Sequence, residues 1–400
     1  MSGFPEHLPS ARLVERRLMQ QLSRVFELHS FAEIDTRAVE PLADLLRKGE
    51  TSKEVYVIQR LQEEGAAYTN KTLALHFDLT VPLARYILEH QADLAFPFKR
   101  YQIQKVWRGE RPQTGRFREF YQADIDIIGR DQLAFSHEVD VALVMAEALA
   151  SCQIGPFTIA VNHRQVCENY YRSLGLDDVS TTLQWIDKLA KIGSTAVAEG
   201  LVAHGATPAQ AKACLELAGL RAADHSIVDQ VEQLAARHGL TSAQLSTALA
   251  QLGELVSQCA EQVPGVVVAD LSIARGLDYY TGTVYETTLA AAPGLGSICS
   301  GGRYDNLVSA GRFRFPGVGL SVGVSRIVAH LGGQWTASRS VPAAVWVAVN
   351  DEASRGLSRQ VAAVLRSRQI ACDISPDAVK YGKQIQAAQR RGIPYVWFPG

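Results

Sequence analysis

A short segment of this chain places one fixed positive charge beside two phenols. The twelve residues from Arg275 to Glu286 contain an arginine followed by a tyrosine pair. Gly276 and Asp278 are typical of a loop, whereas the β-branched Thr283 and Val284 are typical of a strand. Arginine offers a planar fork of donors to an oxyanion, and tyrosine offers an aromatic wall with a hydroxyl at its tip. The segment therefore suits a pocket for a phosphate or carboxylate together with a small polar ring. An ordinary strand with a surface arginine and half-buried tyrosines has the same pattern.

A second cluster of charge lies between two stretches that predict strands, Lys99 to Trp107 and Phe120 to Ile128. The eleven residues between Arg108 and Arg118 contain four arginines, together with glycine, proline and glutamate. The order predicts a β-hairpin with a basic loop. A solvated charged turn has the same composition, so the loop alone does not define a site.

The composition is that of an ordinary globular protein. The 400 residues are 47% hydrophobic and 20% charged, which predicts two to four domains and argues against disorder. The net charge of −1 excludes a uniformly basic nucleic-acid-binding surface. The six cysteines show no metal-ligand spacing, and no apolar run is long enough to span a membrane. We therefore expect a cytoplasmic enzyme with no signal peptide, no membrane contact and no metal held by its side chains.

The first half of the chain predicts helices and strands that could position these clusters. Residues 11–28 carry apolar side chains at a helical spacing, and Phe31 to Val39 alternates like a strand that ends at Pro41. From about 55 to 150, apolar strands alternate with charged turns. This stretch includes the basic hairpin.

The second half has three further parts. Residues 168–260 are rich in Ala, Leu, Gln and Glu, and their helical blocks end near four glycines, at 193, 205, 219 and 239. Strand-like sequence resumes at Val266 and ends in the glycine-rich segment Pro316 to Arg326, which leads into a helix to about Leu331. The last part predicts a βαβαβ unit, with strands at 344–349, 371–374 and 395–398 and helices at 353–367 and 378–390.

Five motifs together resemble one enzyme family. The segment from Arg275 to Glu286 resembles the signature of histidyl-tRNA synthetases, and Cys299 to Asp305 resembles the family's second private motif. The N-terminal helix and strand ending at Pro41 resemble motif 1 of class II aminoacyl-tRNA synthetases, although any α/β start looks similar. The basic hairpin, with Arg-x-Glu, a loop and Arg-Phe-x-x-Phe, resembles motif 2. Arg326 closes a segment that resembles motif 3, where the family packs an arginine on the adenine or its phosphate tail, although glycine-rich turns before helices are common.

This resemblance covers nearly the whole chain and implies its fold. The fold would be α/β of the α+β type: a class II antiparallel sheet flanked by helices, with a helical insertion and a small C-terminal α/β domain. The catalytic core would comprise residues 1–167 and 261–332, the insertion 168–260, and an anticodon-binding-like domain 342–400. The family usually continues beyond the third strand of that last domain, so we expect it to be incomplete at its C-terminus.

The resemblance also implies an activity. A histidine–tRNA ligase uses ATP to convert L-histidine to histidyl-adenylate, and then transfers the histidyl group to the 3′ end of tRNA-His. Magnesium would accompany the β- and γ-phosphates of ATP as part of the substrate, without a permanent prosthetic group. The motif 1 resemblance implies a homodimer.

The residues implied for ATP are Arg108, Glu110, Arg116, Phe120, Arg275 and Arg326. Arg108 would hold the α-phosphate, and Arg275 would bridge it to the substrate carboxylate, so these two would carry the catalysis. Glu110 and Phe120 would bind adenine, and Arg116 would reach the terminal phosphates. Fixed guanidinium donors stabilise the charge that develops on a transferring phosphoryl group. The tip of the loop, Arg111 and Gln113, would face the acceptor end of tRNA.

The residues implied for histidine are Asp78, Leu79, Thr80, Gln122, Asp126, Tyr279 and Tyr280. Neutral imidazole has one donor and one acceptor, so a specific pocket needs a polar partner on each side. Asp126 would meet one ring nitrogen and Tyr280 the other, with Tyr279 lining the pocket. Asp78, Thr80 and Gln122 would bind the α-ammonium. Asp126 lies four residues after Gln122 and shares its strand face, but plain solvent-facing alternation would give the same spacing.

Two other functions are compatible with parts of this pattern. The regulatory subunit of ATP phosphoribosyltransferase has the synthetase fold but typically lacks the C-terminal domain and the ATP-binding arginines. An RNA-binding or signalling protein derived from a synthetase would not need the complete histidine pocket. Arg108, Arg116, Arg275 and Arg326 are all present here, which favours the ligase.

Overall fold

The computed structural model describes residues 1–46, 54–63, 69, 72–113, 115–274, 280–306, 309–310, 313–331 and 339–399. The chain divides into two compact units, Met1–Pro5 with Met19–Ile327 and Glu6–Leu18 with Val328–Gly400. Both contain helices and strands, so the predicted α/β class is confirmed. Within the described residues, no helix is long and apolar enough to cross a membrane.

The first unit contains most of the regular structure. Its strands are β1 (Ala32–Glu33), β2 (Val39–Pro41), β3 (Val57–Ile58), β4 (Leu73–Leu75), β5 (Phe98–Trp107), β6 (Glu119–Ile128), β7 (Phe157–His163), β8 (Arg221–Ala222), β9 (Val267–Asp270), β10 (Thr283–Leu289), β11 (Cys299–Tyr304), β12 (Ser309–Ala310), β13 (Phe313–Arg314) and β14 (Gly317–Gly323). Its helices are α2 (Leu42–Leu45), α3 (Thr80–His90), α4 (Ser136–Ser151), α5 (Arg164–Ser173), α6 (Val179–Ile186), α7 (Leu189–Ala203), α8 (Pro208–Ala218), α9 (Ser226–Arg237) and α10 (Ala243–Gln262). Helices α1 (Pro9–Leu28) and α11 (Val324–Leu331) have residues in both units.

A nine-stranded sheet is the largest feature of the first unit, with the strand order β1-β5-β6-β14-β11-β10-β7-β9-β8. Adjacent strands from β5 to β7 in this order are antiparallel to one another, whereas β1 is parallel to β5 and β9 is parallel to β7. Strands β5 and β6 pair over their full length, from Phe98 opposite Ile128 to Trp107 opposite Glu119. Residues 108–118 therefore form the loop of a long hairpin, as the sequence predicted.

The two faces of this sheet differ in polarity, because alternate residues of a strand point to opposite faces. On β6, Ile125 and Ile127 are fully buried on the face that α4 covers. Gln122, Asp124 and Asp126 lie on the other face, which we call the polar face. The candidate site lies on the polar face.

One predicted strand is wrong. The stretch from Phe31 to Val39 forms two short strands in different sheets: β1 pairs with β5, and β2 pairs with β4. Strand β2 is at the edge of a three-stranded sheet with the order β2-β4-β3. Pro41 is the last residue of β2, and an edge strand can contain it because proline has no N–H donor to leave unpaired.

Residues 164–262 contain the helices α5 to α10. Several begin with side-chain caps that satisfy the free N–H groups of the first turn. Asp178 accepts from the N–H of Thr181 at 2.9 Å, and Thr207 forms a reciprocal capping box with Gln210. Sequence-local signals therefore define where these helices begin.

The four glycines in this region have different roles. Helices α7, α8 and α9 end one or two residues before Gly205, Gly219 and Gly239, close to the predicted ends. Gly193 instead lies inside α7 with φ of 80°, where it interrupts the helical backbone without ending the helix. A residue with a side chain rarely adopts this conformation.

The second unit contains a small parallel sheet with helices on both faces. Its strands are β15 (Val345–Val347), β16 (Cys372–Ile374) and β17 (Tyr395–Trp397), and its helices are α12 (Arg355–Ser367) and α13 (Tyr381–Arg390). The order is β16-β15-β17, with β15 parallel to both neighbours. Trp346 packs with Ala388 of α13, whereas Val345 and Val347 pack with Leu365 of α12. The predicted βαβαβ pattern is confirmed.

Candidate active site

Two adjoining pockets lie on the polar face of the large sheet. The basic pocket is lined by Arg108, Glu110, Gly115, Arg116, Phe117, Phe120, Gln122, Ser297, Ile298, Cys299, Ser300, Ser321, Gly323 and Arg326. The acidic pocket is lined by Thr80, Asp124, Asp126, Tyr280, Ser300, Gly301, Tyr304, Gly319, Leu320 and Ser321. The pockets share Ser300 and Ser321, which are directly paired on β11 and β14. Two ligands bound in these pockets would meet at this serine pair.

Arg108 begins the hairpin loop and is held from two sides. Its Nε donates to the carbonyl oxygen of Phe77 at 2.9 Å, and its guanidinium carbon lies 5.2 Å from the centroid of the Phe120 ring. The side chain is still 30% exposed. Arg108 is therefore oriented by the protein while its charge can still reach a ligand.

The other charges of the loop are held more loosely. Glu110 lies 4.0 Å from Arg108 and 3.7 Å from Arg116, measured between the nearest charged atoms, and Arg116 is 41% exposed. Ion pairs of this length at a solvated position contribute little to stability. A phosphate could replace Glu110 as the partner of either arginine.

Arg326, at the start of α11, connects the hairpin loop to the rest of the basic pocket. Its Nε donates to the carbonyl oxygen of Gly115 at 3.1 Å, and its Nη1 donates to the carbonyl oxygen of Ser297. Gly115 has φ of 71°, and a side chain there would lie 2.7 Å from Leu295. The positive φ therefore favours glycine at this position, where Arg326 binds the loop.

The two residues predicted to face tRNA are outside both pockets. Arg111 and Gln113 are exposed, and the backbones of Gln113 and Arg116 form a reciprocal pair of hydrogen bonds, of 2.9 and 3.2 Å. Both side chains are therefore accessible to solvent on the hairpin and belong to neither pocket lining.

Asp126 is the central residue of the acidic pocket. It is only 4% exposed, so the alternative of a solvent-facing carboxylate is wrong. Its Oδ2 lies 2.5 Å from Nη2 of the fully buried Arg100, and its Oδ1 accepts from the hydroxyl of Tyr304 at 2.6 Å. The Arg100 contact is an ion pair without good hydrogen-bond alignment. A carboxylate has about four lone-pair positions, so Asp126 can accept a further donor from a ligand.

Asp124 is a second buried carboxylate beside Asp126. Its Oδ1 accepts from the hydroxyl of Ser321 at 2.5 Å, and that hydroxyl accepts from the amide of Gln122, also at 2.5 Å. Burial raises the pKa of Asp124 to about 7, even though the positive charge of Arg100 and the bond from Ser321 act in the opposite direction. The acidic pocket can therefore gain or lose a proton near neutral pH.

Tyr280, three residues before the start of β10, faces this pair of carboxylates. Burial raises the pKa of its hydroxyl, with Asp126 adding to the effect, so the group stays a neutral donor or acceptor at physiological pH. A side chain at Gly302 would lie 2.7 Å from the Tyr280 ring, and one at Gly319 would lie 2.1 Å from Oδ1 of Asp126. Two glycines therefore make the space in which these two side chains sit.

The loop before α3 supplies the remaining described residues of the predicted histidine site. Asp78 is buried, and its Oδ1 accepts from the N–H of Val81 at 3.0 Å, which ties it to the first turn of the helix. Thr80 lines the acidic pocket, whereas Leu79 is fully buried and belongs to neither lining. Gln122 lines the basic pocket next to the shared serines. Arg275 and Tyr279 lie outside the described residues.

Comparison with known proteins identifies the family of this chain. Residues 3–327 match the sequence family described as histidyl-tRNA synthetase. This chain belongs to the histidyl-tRNA synthetase family. It is 52% identical to the histidine–tRNA ligase of Micrococcus luteus and 54% identical to that of Bifidobacterium longum subsp. infantis, over 100% of this chain and 89% of each relative. The crystal structure of histidyl-tRNA synthetase from Nostoc sp. PCC 7120 matches with a TM-score of 0.88 and 34% identity, over 98% of this chain and 89% of that chain.

Sequence reasoning missed several residues of the histidyl-tRNA synthetase site. The position of Arg100 could have been predicted, because the pairing of β5 with β6 across the basic loop puts it opposite Asp126. Tyr304 lies in the second private motif of the family, but it was given no role. Asp124 lies between the assigned residues Gln122 and Asp126, and Ser321 lies in the segment that resembles motif 3. Their hydrogen bond depends on the pairing of β6 with β14, which no local pattern indicates.

Proposed function

We infer that this chain is a histidine–tRNA ligase, an aminoacyl-tRNA synthetase that consumes ATP. The observation that supports it most directly is the pairing of two pockets. A carboxylate and a phenol face each other in the acidic pocket, and this pocket adjoins the arginine-rich basic pocket at Ser300 and Ser321. Relatives that are more than half identical over the whole chain have the same activity in their names.

The acidic pocket would hold the histidine side chain. Asp126 accepts from the N–H of the imidazole, and the hydroxyl of Tyr280 donates to the other ring nitrogen. Arg100 and Tyr304 keep the carboxylate of Asp126 in place for this contact. A buried site that must pair its polar groups rejects analogues without the matching hydrogen bonds by roughly 10⁴-fold.

The α-ammonium and the rest of the amino acid would lie toward the junction of the pockets. The proposed histidine-binding residues are Asp78, Leu79, Thr80, Gln122, Asp126, Tyr279 and Tyr280. Asp78 comes from the loop before α3, Thr80 is the first residue of that helix, and Gln122 comes from β6. With the ring beside Asp126, the substrate carboxylate would point to the shared serines and to the basic pocket.

The basic pocket would hold ATP together with its magnesium ion. The proposed ATP-binding residues are Arg108, Glu110, Arg116, Phe120, Arg275 and Arg326. Arg108 would contact the α-phosphate, and Arg116 the terminal phosphates. Glu110 and Phe120 would contact adenine. Within the described residues, the ion pairs of Arg108 and Arg116 are long contacts with Glu110, of 4.0 and 3.7 Å, so a phosphate can compete for both charges.

The reaction would occur at the junction of the pockets. A carboxylate oxygen of histidine attacks the α-phosphorus of ATP, the bond to the bridging oxygen breaks, and pyrophosphate leaves. The terminal ribose hydroxyl of tRNA then attacks the activated carbonyl, and AMP leaves. Arg108 and Arg275 stabilise the charge of the first transition state, and the two pockets supply the alignment.

The larger assembly is proposed from the family. Residues 1–167 and 261–332 would be the catalytic core, 168–260 would contact the acceptor stem, and 342–400 would contact the anticodon. The exposed position of Arg111 and Gln113 on the hairpin supports their proposed contact with the acceptor end of tRNA-His. We also propose a homodimer that works in the cytoplasm. Light scattering that gives the monomer mass of 43.6 kDa at micromolar concentration would contradict the dimer.

Histidine-dependent exchange of pyrophosphate into ATP, measured across the twenty amino acids, tests the activity. We expect exchange with histidine alone. Exchange with another amino acid, or none at all from the folded protein, would overturn the proposal. Replacing Arg275→Ala should lower the exchange rate by about 3 kcal/mol of transition-state stabilisation or more. Lysine should rescue it poorly because it lacks the forked geometry.

A further inference from the structure

Strand β11 runs between the two side chains that are proposed to read the imidazole. We propose that three consecutive residues of this strand, Gly302, Arg303 and Tyr304, set the separation of Tyr280 and Asp126 and thereby the selectivity for histidine. Gly302 and Arg303 act on Tyr280, and Tyr304 acts on Asp126. None of the three is proposed to contact a substrate. The inference rests on the proposed function, because it concerns the same histidine pocket.

Gly302 and Tyr304 face the acidic pocket, since they alternate with Arg303 along the strand. Gly302 lies under the ring of Tyr280, and a side chain there would approach the ring to 2.7 Å and the carbonyl oxygen of Thr283 to 2.6 Å. Tyr304 donates its hydroxyl to Asp126 at 2.6 Å. One strand therefore contacts both partners of the imidazole on the same face.

Arg303 points to the opposite face and holds the backbone that follows Tyr280. Its own carbonyl oxygen accepts from the N–H of Thr281 at 2.8 Å. Its guanidinium donates to Glu138 at 2.8 Å, to Asp305 at 3.1 Å and to the carbonyl oxygen of Leu133 at 3.2 Å. The Arg303 side chain is 19% exposed, and a partly buried charge with this many partners has one well-defined position.

The partners of Arg303 complete the clamp on residues 280–283. Asp305 also accepts from the hydroxyl of Thr281 at 2.5 Å, and Glu138 also accepts from the N–H of Thr283 at 3.3 Å. Gly282 packs under the Arg303 side chain, where an added Cβ would lie 2.9 Å from Cδ of that arginine.

A second arginine holds the same segment from α5. Arg164 donates its Nη1 to the carbonyl oxygen of Tyr280 at 2.8 Å and its backbone N–H to the carbonyl oxygen of Gly282 at 2.9 Å. Four successive residues are thus each bound through the backbone to α4, α5 or β11. The backbone that carries the Tyr280 side chain is thus fixed to β11, the strand that also carries Tyr304 and through it holds Asp126, so β11 links the positions of Tyr280 and Asp126.

The test uses variants that remove one hydroxyl each, so that the fold is retained. Tyr304→Phe removes the bond to Asp126, and Thr281→Val removes the bond to Asp305. Pyrophosphate exchange should show a histidine KM raised about tenfold by Tyr304→Phe and severalfold by Thr281→Val, with an unchanged ATP KM. Selectivity for histidine over thienylalanine, which lacks both ring nitrogens, should fall by the same factors.

Matched controls separate positioning from general stability. Tyr101→Phe removes a buried tyrosine bond to a carboxylate, that of Glu27 at 2.8 Å, and Thr288→Val makes the threonine change at the other end of β10. Both controls should leave the histidine KM and the selectivity as in the wild type. Loss of active enzyme alone would lower kcat equally for both amino acids without changing the ratio.

A double-mutant cycle gives the decisive result. In an Asp126→Asn background, Tyr304→Phe should have little further effect, because the carboxylate that it positions is gone. Additive effects, or an unchanged histidine KM in both hydroxyl variants, would overturn the inference while the ligase activity stands. If the wild-type protein does not exchange pyrophosphate with histidine, the proposed function itself fails.

Discussion

The two pockets on the polar face hold their charged side chains in opposite ways. In the basic pocket, Arg108 and Arg116 are 30% and 41% exposed, and their distances to Glu110 are 4.0 and 3.7 Å. In the acidic pocket, Asp124 and Asp126 are 2% and 4% exposed, and each accepts a hydroxyl donor within 2.6 Å. The first arrangement suits a flexible, highly charged ligand. The second suits a small ring that must be distinguished from similar rings.

The difference fits the ligand that is proposed for each pocket. A triphosphate attracts cations over a distance, so solvated arginines can bind it and adjust to it. An imidazole differs from other rings of its size mainly in its two nitrogens, and only fixed, desolvated partners can detect them. We therefore expect substitutions in the acidic pocket to have large effects, and most of those in the basic pocket to have smaller, salt-sensitive ones.

The largest effect is expected for Asp126→Asn. The amide cannot compensate the charge of Arg100, whose Nε and Nη1 have no hydrogen-bond partner among the described residues. Breaking a buried ion pair in this way should lower the free energy of unfolding by about 3 kcal/mol. The histidine KM should rise at least about 100-fold, because the charge is lost and the amide keeps only one acceptor oxygen, which the Tyr304 hydroxyl and the ring N–H would both need. Urea denaturation measures the free energy of unfolding, and pyrophosphate exchange measures the histidine KM. Wild-type values for both would contradict the proposed difference between the two pockets.

The next largest effect is expected for Arg326→Ala, the best-held arginine of the basic pocket. It removes donors to the carbonyl oxygens of Gly115 and Ser297. Loss of these charged hydrogen bonds should lower kcat/KM for ATP roughly 30-fold, which corresponds to about 2 kcal/mol of transition-state stabilisation. Calorimetry should find histidine affinity unchanged. An equal loss for both ligands would mean that the two pockets act as one unit.

A moderate effect is expected from pH, and only in the acidic pocket. Burial raises the pKa of Asp124 to about 7, so this carboxyl is largely protonated at pH 6 and largely ionised at pH 8. The neighbouring charges are Arg100, Asp126 and Asp78. The ammonium of histidine favours the ionised form, so binding releases a proton, and affinity should rise by up to about tenfold between pH 6 and 8.

Asp124→Asn is the control for this pH dependence. Histidine itself titrates in the same range, so the informative quantity is the difference between the wild type and the variant in calorimetric affinity. The variant should lack the part of the slope that comes from Asp124. Identical slopes would show that the carboxyl does not change its charge on binding.

The smallest effect is expected for Arg116→Ala. Its ion pair with Glu110 is long and solvated, so the ATP KM should rise only a few-fold. Raising the ionic strength from about 0.05 to 0.5 M should weaken ATP binding more than histidine binding, because salt screens exposed charges first. If histidine binding depended more strongly on salt than ATP binding, the prediction that the exposed charges of the basic pocket are screened first would be wrong.

Much of this organisation is a property of consecutive residues and could be predicted from them. The hairpin, the capped helices and the C-terminal βαβαβ unit each depend on local spacing. The shared face of Gln122 and Asp126 follows from the period of a strand. The short break between β1 and β2 could not be predicted, because the two parts pair with different sheets.

The partners of those residues were decided only by the tertiary structure. Tyr304 meets Asp126 across 178 positions of the chain, and Ser321 meets Asp124 across 197. Both contacts depend on β14 lying between β6 and β11, an order that the sum of many backbone and packing interactions selects. The sequence by itself determined which chemical groups are present and which face of a strand they share. The long-range pairing of strands decided which of them are buried together, and burial is what turns an ordinary carboxylate into a selective one.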